Sequence, residues 1–143
     1  MPVTRSLALA ATFGAVAVGA ASPAWADQTM SGHYLKTETT QESALQNTTY
    51  DWHFSPCGDG CTNVTVNGTP GQAHLVNGQW AMDFPVGNVT CADGTFNPAS
   101  RSAHYAWDAN TLAGTAQVTI TAAVCGLPLG YTFTDNIQLR QAP

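Results

Sequence analysis

The stretch that decides the fold reads YDWHFSPCGDGCTNVTV and covers residues 50–66. Its aromatic residues alternate with polar ones up to Ser55, which is the period of a half-buried β-strand. Val64 and Val66 repeat this alternation after a short, glycine-rich connection. The pattern therefore predicts two strands that form a β-hairpin with one apolar face and one polar face.

The register of this hairpin follows from the face on which the apolar side chains collect. A three-residue loop at residues 58–60 pairs Phe54 with Val64 and Trp52 with Val66. A loop shorter by one residue would put the two apolar sets on opposite faces, because a one-residue slip turns every side chain over. We therefore expect the longer loop, with a left-handed glycine at its end and a bulge beside it.

The same register sets Cys57 directly opposite Cys61 and predicts a disulfide at the hairpin tip. The chain has four cysteines, and an even count in a small exported domain indicates two disulfides. Of the three connectivities that four cysteines allow, this one leaves Cys91 to pair with Cys125. The spacing of the first pair lacks the C-x2-C repeat of zinc ribbons, so we predict no metal and no cofactor.

The rest of the chain predicts more strands of the same kind. The dipeptide at residues 77–78 is Asn-Gly, the strongest short hairpin signal, and it pairs Leu75 with Trp80 on the apolar face. The longest alternating segment covers residues 115–125. The whole pattern favours an all-β fold, an antiparallel meander of about eight or nine short strands that closes as a small barrel, with a β-sandwich as the alternative.

Three interruptions of this pattern are expected from local sequence alone. Pro85 is predicted to end a strand, so that residues 86–91 form a separate short one. Residues 96–100 are predicted to be irregular. A bulge is expected at residues 135–136, where Asp and Asn break the apolar alternation of the last strand.

The N-terminal segment has the features of a secretory signal peptide. Arg5 precedes an apolar, alanine-rich run, and residues 24–26 form an A-x-A cleavage site. The apolar run is short for a bilayer span, which needs about 20 residues. We therefore predict a signal peptide at residues 1–26 and one secreted, disulfide-clipped β-domain at residues 27–143, which does not span a membrane.

The charge of the chain limits its partners. Four Lys and Arg stand against nine Asp and Glu, which gives a formal net charge of −5 at pH 7. Such a chain repels the phosphate backbone of nucleic acids, so we predict no nucleic-acid partner.

Aromatic side chains supply the candidate ligand site. Trp52, Trp80, Tyr105 and Trp107 all fall on the apolar faces of their strands. They either fill the core of the barrel or line a ligand cavity of the kind found in barrels of about eight strands. The clipped loop of Gly58, Asp59 and Gly60 offers a second candidate, because exposed rigid loops are common contact points.

Two sets of polar residues suggest chemistry only at first sight. Asp51, His53 and Ser55 have the residue types of a hydrolytic triad, but residues two apart on a strand are about 7 Å apart, too far for a base to reach its nucleophile. His53, His74 and His104 occupy polar faces of different strands, and we interpret them as exposed side chains. We predict no catalytic residue.

Several blocks of the chain resemble a family of small exported mycobacterial proteins without an assigned activity. The blocks are PCGDGC at residues 56–61, NGQW at 77–80, CADG at 91–94, YAWD at 105–108 with TLAGT at 111–115, and CG at 125–126. They span nearly the whole predicted mature chain. Related modules resemble the extracellular parts of some mycobacterial receptor-type kinases. The resemblance implies export and two disulfides, and it implies no catalytic residue.

These observations predict a secreted or cell-envelope binding domain that catalyses no reaction. Its expected partner is a small apolar or envelope-derived molecule in a barrel cavity, or another protein. Two alternatives stay open: a hydrolase-type enzyme with an unrecognised site, and an inhibitor or effector that acts through the Cys57–Cys61 loop.

Overall fold

The computed structural model describes residues 29–143 as an all-β protein. The predicted signal peptide lies outside these residues. Eight antiparallel strands form a closed meander barrel in which each strand pairs with the next and the last pairs with the first. This confirms the predicted barrel. The strands are β1 (Gly32–Thr39), β2 (Thr48–Gly58), β3 (Cys61–Val66), β4 (Thr69–Val76), β5 (Gln79–Thr90), β6 (Phe96–Asp108), β7 (Ala113–Ile120) and β8 (Thr132–Gln141).

The β2–β3 hairpin has the predicted pairs, with one difference at its tip. Phe54 lies opposite Val64, as expected from the apolar pattern. The residue opposite Cys61 is Gly58 rather than Cys57, because the register shifts between residues 56 and 58 and makes Cys57 the extra residue of a bulge. The predicted three-residue loop is therefore wrong, and the loop consists of Asp59 and Gly60. Gly60 has the expected positive φ, of 62°.

Both predicted disulfides are confirmed. Cys57 is bonded to Cys61 at the hairpin tip, and Cys91 is bonded to Cys125 at the opposite end of the barrel. The two bridges differ in exposure, since Cys57 is exposed and Cys91 is only 8 % exposed. Two disulfides in a small barrel are compatible with an extracellular location.

Two of the three predicted interruptions are wrong, and one is correct in part. β5 continues through Pro85, and its register with β6 shifts between residues 84 and 89. The segment predicted to be irregular belongs to β6, which begins at Phe96, but the register shifts beside it and Ala99 has a positive φ of 51°. β8 pairs with both neighbours without a shift, and its Asp135 points inward in phase with Ile137. The strand predicted over residues 115–125 ends instead at Ile120.

Aromatic rings fill the end of the barrel that carries the hairpin tip, which we call the closed end. The Trp52 ring packs edge-on against the Trp107 ring, with centroids 5.8 Å apart, and Phe54 lies 6.1 Å from the same Trp107 ring. Met30 covers this end, and its Sδ accepts a hydrogen bond of 3.2 Å from the indole N–H of Trp107. Trp80 is fully buried in the same cluster.

The opposite end, which we call the mouth, is where the barrel wall opens. β4 and β5 pair only at three positions next to their turn, of which His74–Ala81 is the last. The same register continued toward the mouth would set Gly71 opposite Phe84 and Pro70 opposite Pro85. The pairing stops before these prolines are reached, and they themselves offer no N–H with which it could resume. No helix in residues 29–143 is long and apolar enough to cross a membrane.

Replacing Trp80 with Ala should lower the free energy of unfolding by about 3–5 kcal/mol, because the indole is fully buried. Trp80→Phe should cost clearly less, since it keeps a ring and removes an indole N–H that is buried without a hydrogen-bond partner. Chemical denaturation measures both. An effect of Trp80→Ala no larger than that of the exposed Val76→Ala would contradict the described packing.

Titration with a mild reductant should open the Cys57–Cys61 bridge first, because solvent access favours attack by an external thiol. Cys91–Cys125 and the native tryptophan fluorescence should persist at that point, since the tryptophans belong to the barrel core. Differential alkylation followed by peptide mapping gives the order. Simultaneous release of all four thiols would show that the Cys57–Cys61 bridge is no more accessible to the reductant than the Cys91–Cys125 bridge.

Candidate functional site

A cluster of charged side chains lies inside the barrel, between the aromatic core and the mouth. Lys36 and Glu38 come from β1, Arg101 from β6 and Asp135 from β8, and each occupies an inward position of its strand. Lys36 is 1 % exposed, Glu38 2 % and Asp135 3 %. Buried charges are tolerated only when they are paired and hydrogen-bonded, so their contacts decide what the cluster can do.

Glu38 stands at the centre of these contacts. The guanidinium of Arg101 donates two hydrogen bonds to its two oxygens, at 2.7 Å and 3.1 Å. The ammonium of Lys36 donates a further one to the same carboxylate. Bidentate geometry of this kind is the strong form of a charge-assisted pair. The cluster thus ties β1 to β6 through the interior of the barrel.

Aromatic rings surround the ammonium of Lys36. Its Nζ lies 5.4 Å from the centroid of Tyr50, 5.3 Å from Trp52 and 5.1 Å from Tyr105. The faces of aromatic rings attract cations at such distances. The rings therefore replace part of the hydration that burial takes from this ammonium.

These contacts keep Glu38 and Arg101 charged. Burial alone would raise the pKa of Glu38, but the charges of Lys36 and Arg101 outweigh it and hold this pKa well below its usual range. Burial likewise opposes the charge of Arg101, and the influence of Tyr105 and Glu38 instead raises the pKa of the guanidinium.

Asp135 is the titratable member of the cluster. Burial raises its pKa to about 7, and its hydrogen bond to Glu38 acts in the same direction, while Thr40 acts against both. Of the two carboxyl groups, Glu38 has the lower pKa, so Asp135 is the one that carries a proton below pH 7. The Oδ1 atom of Asp135 is buried without a hydrogen-bond partner, which also disfavours its charged form.

A cavity of about 110 Å³ lies beside this cluster, at the mouth where β4 and β5 part. Lys36, Arg101 and Tyr105 form its inner wall. Val66 and Val86 belong to its outer part, and Val86 is 53 % exposed. The two carboxylates line a separate cavity of only about 20 Å³ on the other side of Arg101. The larger cavity thus meets the cationic side of the cluster.

Gly87 makes room for the arginine. A Cβ atom at this position would lie 3.1 Å from Cγ and 3.3 Å from Nε of Arg101, which is tighter than ordinary van der Waals contact. The glycine allows the stem of Arg101 to pass β5 and reach Glu38. The register shifts around Gly87 place it at this crossing.

The structure separates the predicted site residues. Trp52, Trp80 and Trp107 belong to the buried core. Tyr105 belongs to the same core, and in addition its hydroxyl reaches the charged cluster, where it accepts a hydrogen bond of 2.6 Å from Arg101. The tip residues Gly58 and Asp59 are exposed at the closed end, and Gly60 is half-buried there.

The polar residues that suggested a hydrolytic triad or a metal site are exposed on the outer surface of the barrel. Asp51 bonds His33, at 2.6 Å, and the ring of His33 stacks on His53 with centroids 4.5 Å apart. His74 and His104 lie exposed on other strands. Within residues 29–143 no three His, Cys, Asp or Glu side chains are grouped as a metal ion requires.

Sequence analysis missed the charged cluster, although its alternation carried a signal. Lys36 and Glu38 are in phase with Tyr34 on β1. Arg101 is in phase with Tyr105 on β6. Charged residues in the apolar phase of a strand indicate either a buried pair or an error of register. Three strands with such residues together favour a shared polar cluster in the interior.

Comparison of the chain with protein-family models, with curated proteins and with solved structures finds no match. The function must therefore be argued from the barrel itself.

Asp135→Asn should change how stability depends on pH. An unfolded Asp has a pKa of about 3.9, so a folded pKa of about 7 means that the native state holds a proton that the unfolded state has lost. The stability associated with this proton is fully present below pH 4 and is lost as the pH rises to 7. Between pH 5 and pH 8 the native protein should lose about 2–3 kcal/mol relative to the variant.

Urea denaturation of both proteins across this range measures the difference. Asp59→Asn, which changes an exposed carboxylate at the tip, is the matched control and should follow the native protein. Parallel stability curves for Asp135→Asn and the native protein would mean that Asp135 is ionised throughout.

Proposed function

We propose that this chain is an exported, non-catalytic binding domain that takes a small ligand into the cavity at the barrel mouth. The observation that carries the proposal is the 110 Å³ cavity at the place where the β4–β5 ladder stops. Ligand sites of β-barrels are typically found at their mouths, with a few polar groups that fix the ligand.

The placement of the charged side chains supports binding rather than catalysis. Glu38 accepts hydrogen bonds from Lys36 and Arg101 together, so its charge is fixed by partners. A general base needs a pKa near the working pH and access to its substrate. Asp135 meets the first condition, but it lines the small cavity on the far side of Arg101. The alternative of a hydrolase-type enzyme therefore has less support.

Two observations support the export part of the proposal. The N-terminal residues have the pattern of a secretory signal, and the four cysteines of the domain form two disulfides. The resemblance of the cysteine and tryptophan blocks to small exported mycobacterial proteins points the same way. The remaining alternative, an inhibitor or effector acting through the Cys57–Cys61 loop, places the contact at the closed end.

Native mass spectrometry of protein collected from its secretion medium should detect a retained small molecule. Val86→Trp should abolish the retained mass, because Val86 lines the outer part of the cavity and a larger side chain there obstructs it. Val76→Trp is the matched control, since Val76 is similarly exposed, at 63 %, but lies at the closed end.

Loss of the retained mass in both variants, or in neither, would contradict a site at the mouth. A mass that instead disappears when residues 58–60 are replaced would support the contact loop. Chemical conversion of a small molecule by the native protein, absent in Val86→Trp, would support the enzyme alternative.

A further inference from the structure

We propose that the ligand of the mouth cavity bears a carboxylate group, which binds between Lys36, Arg101 and the hydroxyl of Tyr105. This inference rests on the proposed binding function and names the chemical class of its ligand. Three independent observations carry it: the hydrogen-bonding capacity of the cavity wall, the arrangement of charge, and the volume.

The inner wall of the cavity has more donors than acceptors. Lys36 donates one of its three N–H groups to Glu38, and the two others, which lie among the rings of Tyr50, Trp52 and Tyr105, make no hydrogen bond within residues 29–143. Arg101 has five N–H groups and makes three bonds. Tyr105 accepts one of these, so its own proton stays available. A ligand that satisfies this wall must bring acceptors.

Asn88, at the rim of the cavity, adds a further hydrogen-bond donor. The side-chain oxygen of Asn88 accepts the backbone N–H of Ala99 at 3.2 Å, and the NH₂ group of this amide is a hydrogen-bond donor. Asn88 lines the cavity together with Lys36 and Arg101. Donors thus converge from β1, β5 and β6 on one small space.

The charges of the cluster favour an anion in this space. Lys36 and Arg101 are two cations, Glu38 is one anion, and Asp135 is neutral when it carries its proton. The protonated cluster therefore has a net charge of +1. Because the carboxyl groups lie on the far side of Arg101, a carboxylate that enters from the mouth meets the cations first. Its charge completes the neutralisation of a buried site, where unbalanced charge is costly.

The volume limits what can enter completely. An engineered cavity of about 150 Å³ holds benzene, so about 110 Å³ admits a group of a few heavy atoms. A short carboxylic acid fits as a whole. A longer one places its head inside and extends its chain outward past Val66 and Val86, the apolar residues of the outer part.

Binding is coupled to the proton of Asp135. The charged groups that act on this side chain are Glu38 on β1 and Arg101 on β6, and Tyr50 on β2 lines the same small cavity. Lys36 acts on it through Glu38, to which it donates a hydrogen bond. The inward side chains of β7 are apolar. Loss of the proton reduces the net charge of the cluster from +1 to zero. Affinity for a carboxylate therefore falls as the pH rises through 7.

Calorimetric or NMR titration with acetate, octanoate and acetamide tests the inference on protein freed of any retained molecule. Acetate or octanoate should bind, and acetamide, the uncharged analogue of acetate, should not. Tighter binding of octanoate would identify a long-chain ligand, and equal binding a short acid. Tyr105→Phe, which keeps the ring and removes the hydroxyl, should weaken carboxylate binding about tenfold.

Two further arms separate this inference from the proposed function. Raising the pH from 6 to 8 should weaken carboxylate binding several-fold in the native protein and not in Asp135→Asn, whose amide stays uncharged. Val86→Trp should block all probes and Val76→Trp none. Circular dichroism and the thermal transition check that Tyr105→Phe is folded; where it is not, the comparison of acetate with acetamide decides.

If acetate and acetamide both bind, and with the same affinity, the carboxylate inference is overturned and the binding function stands. The carboxylate inference is also overturned if neither acid binds while Val86→Trp still removes a retained molecule from the exported protein. If no probe binds and the exported protein retains no molecule, both the carboxylate inference and the proposed binding function are overturned.

Discussion

The ion pairing of Glu38 with Lys36 and Arg101 is the interaction on which the interior of this barrel depends. Breaking one side of a buried pair leaves an uncompensated charge and is strongly destabilising, by about 3–5 kcal/mol. Glu38 and Lys36 belong to β1 and Arg101 to β6, two strands that are not neighbours in the sheet. Their contact through the interior keeps opposite walls of the barrel at a fixed separation near the mouth.

This pairing divides the interior into two parts with different roles. Tryptophan rings fill the closed end, where packing supplies stability. The charged cluster lies between them and a second, smaller apolar cluster at the mouth end, formed by Val89, Cys91, Ile120 and Val124. The cavity lies beside the charged cluster. A polar layer inside an otherwise apolar barrel thus provides both the floor of the candidate site and its chemistry.

Local pattern was sufficient for the fold and insufficient for the site. The pairing of Phe54 with Val64 follows from alternation within one hairpin. The disulfide at its tip has the predicted partners, although a bulge sets Gly58 rather than Cys57 opposite Cys61. Pro85 was expected to end its strand because the rule for proline is local, whereas a long ladder with β6 carries the strand through it. From the sequence, Asp135 only breaks the apolar alternation of the last strand. The charged residues beside which it points inward, Glu38 and Arg101, lie on β1 and β6. A cluster built from side chains of three strands can be assembled only when their positions in the barrel are known.

The parting of β4 and β5 has a consequence for how the protein behaves in a crowded solution. Strands that separate leave backbone edges, and an exposed edge is a template on which another chain can add a strand and begin to aggregate. Pro70 and Pro85 face this gap from its two sides, in the register that the ladder would have continued. Each removes a donor from an edge, and proline on an edge strand is a common protection against such pairing. The barrel can therefore keep an opening in its wall without offering a complete strand edge to its neighbours.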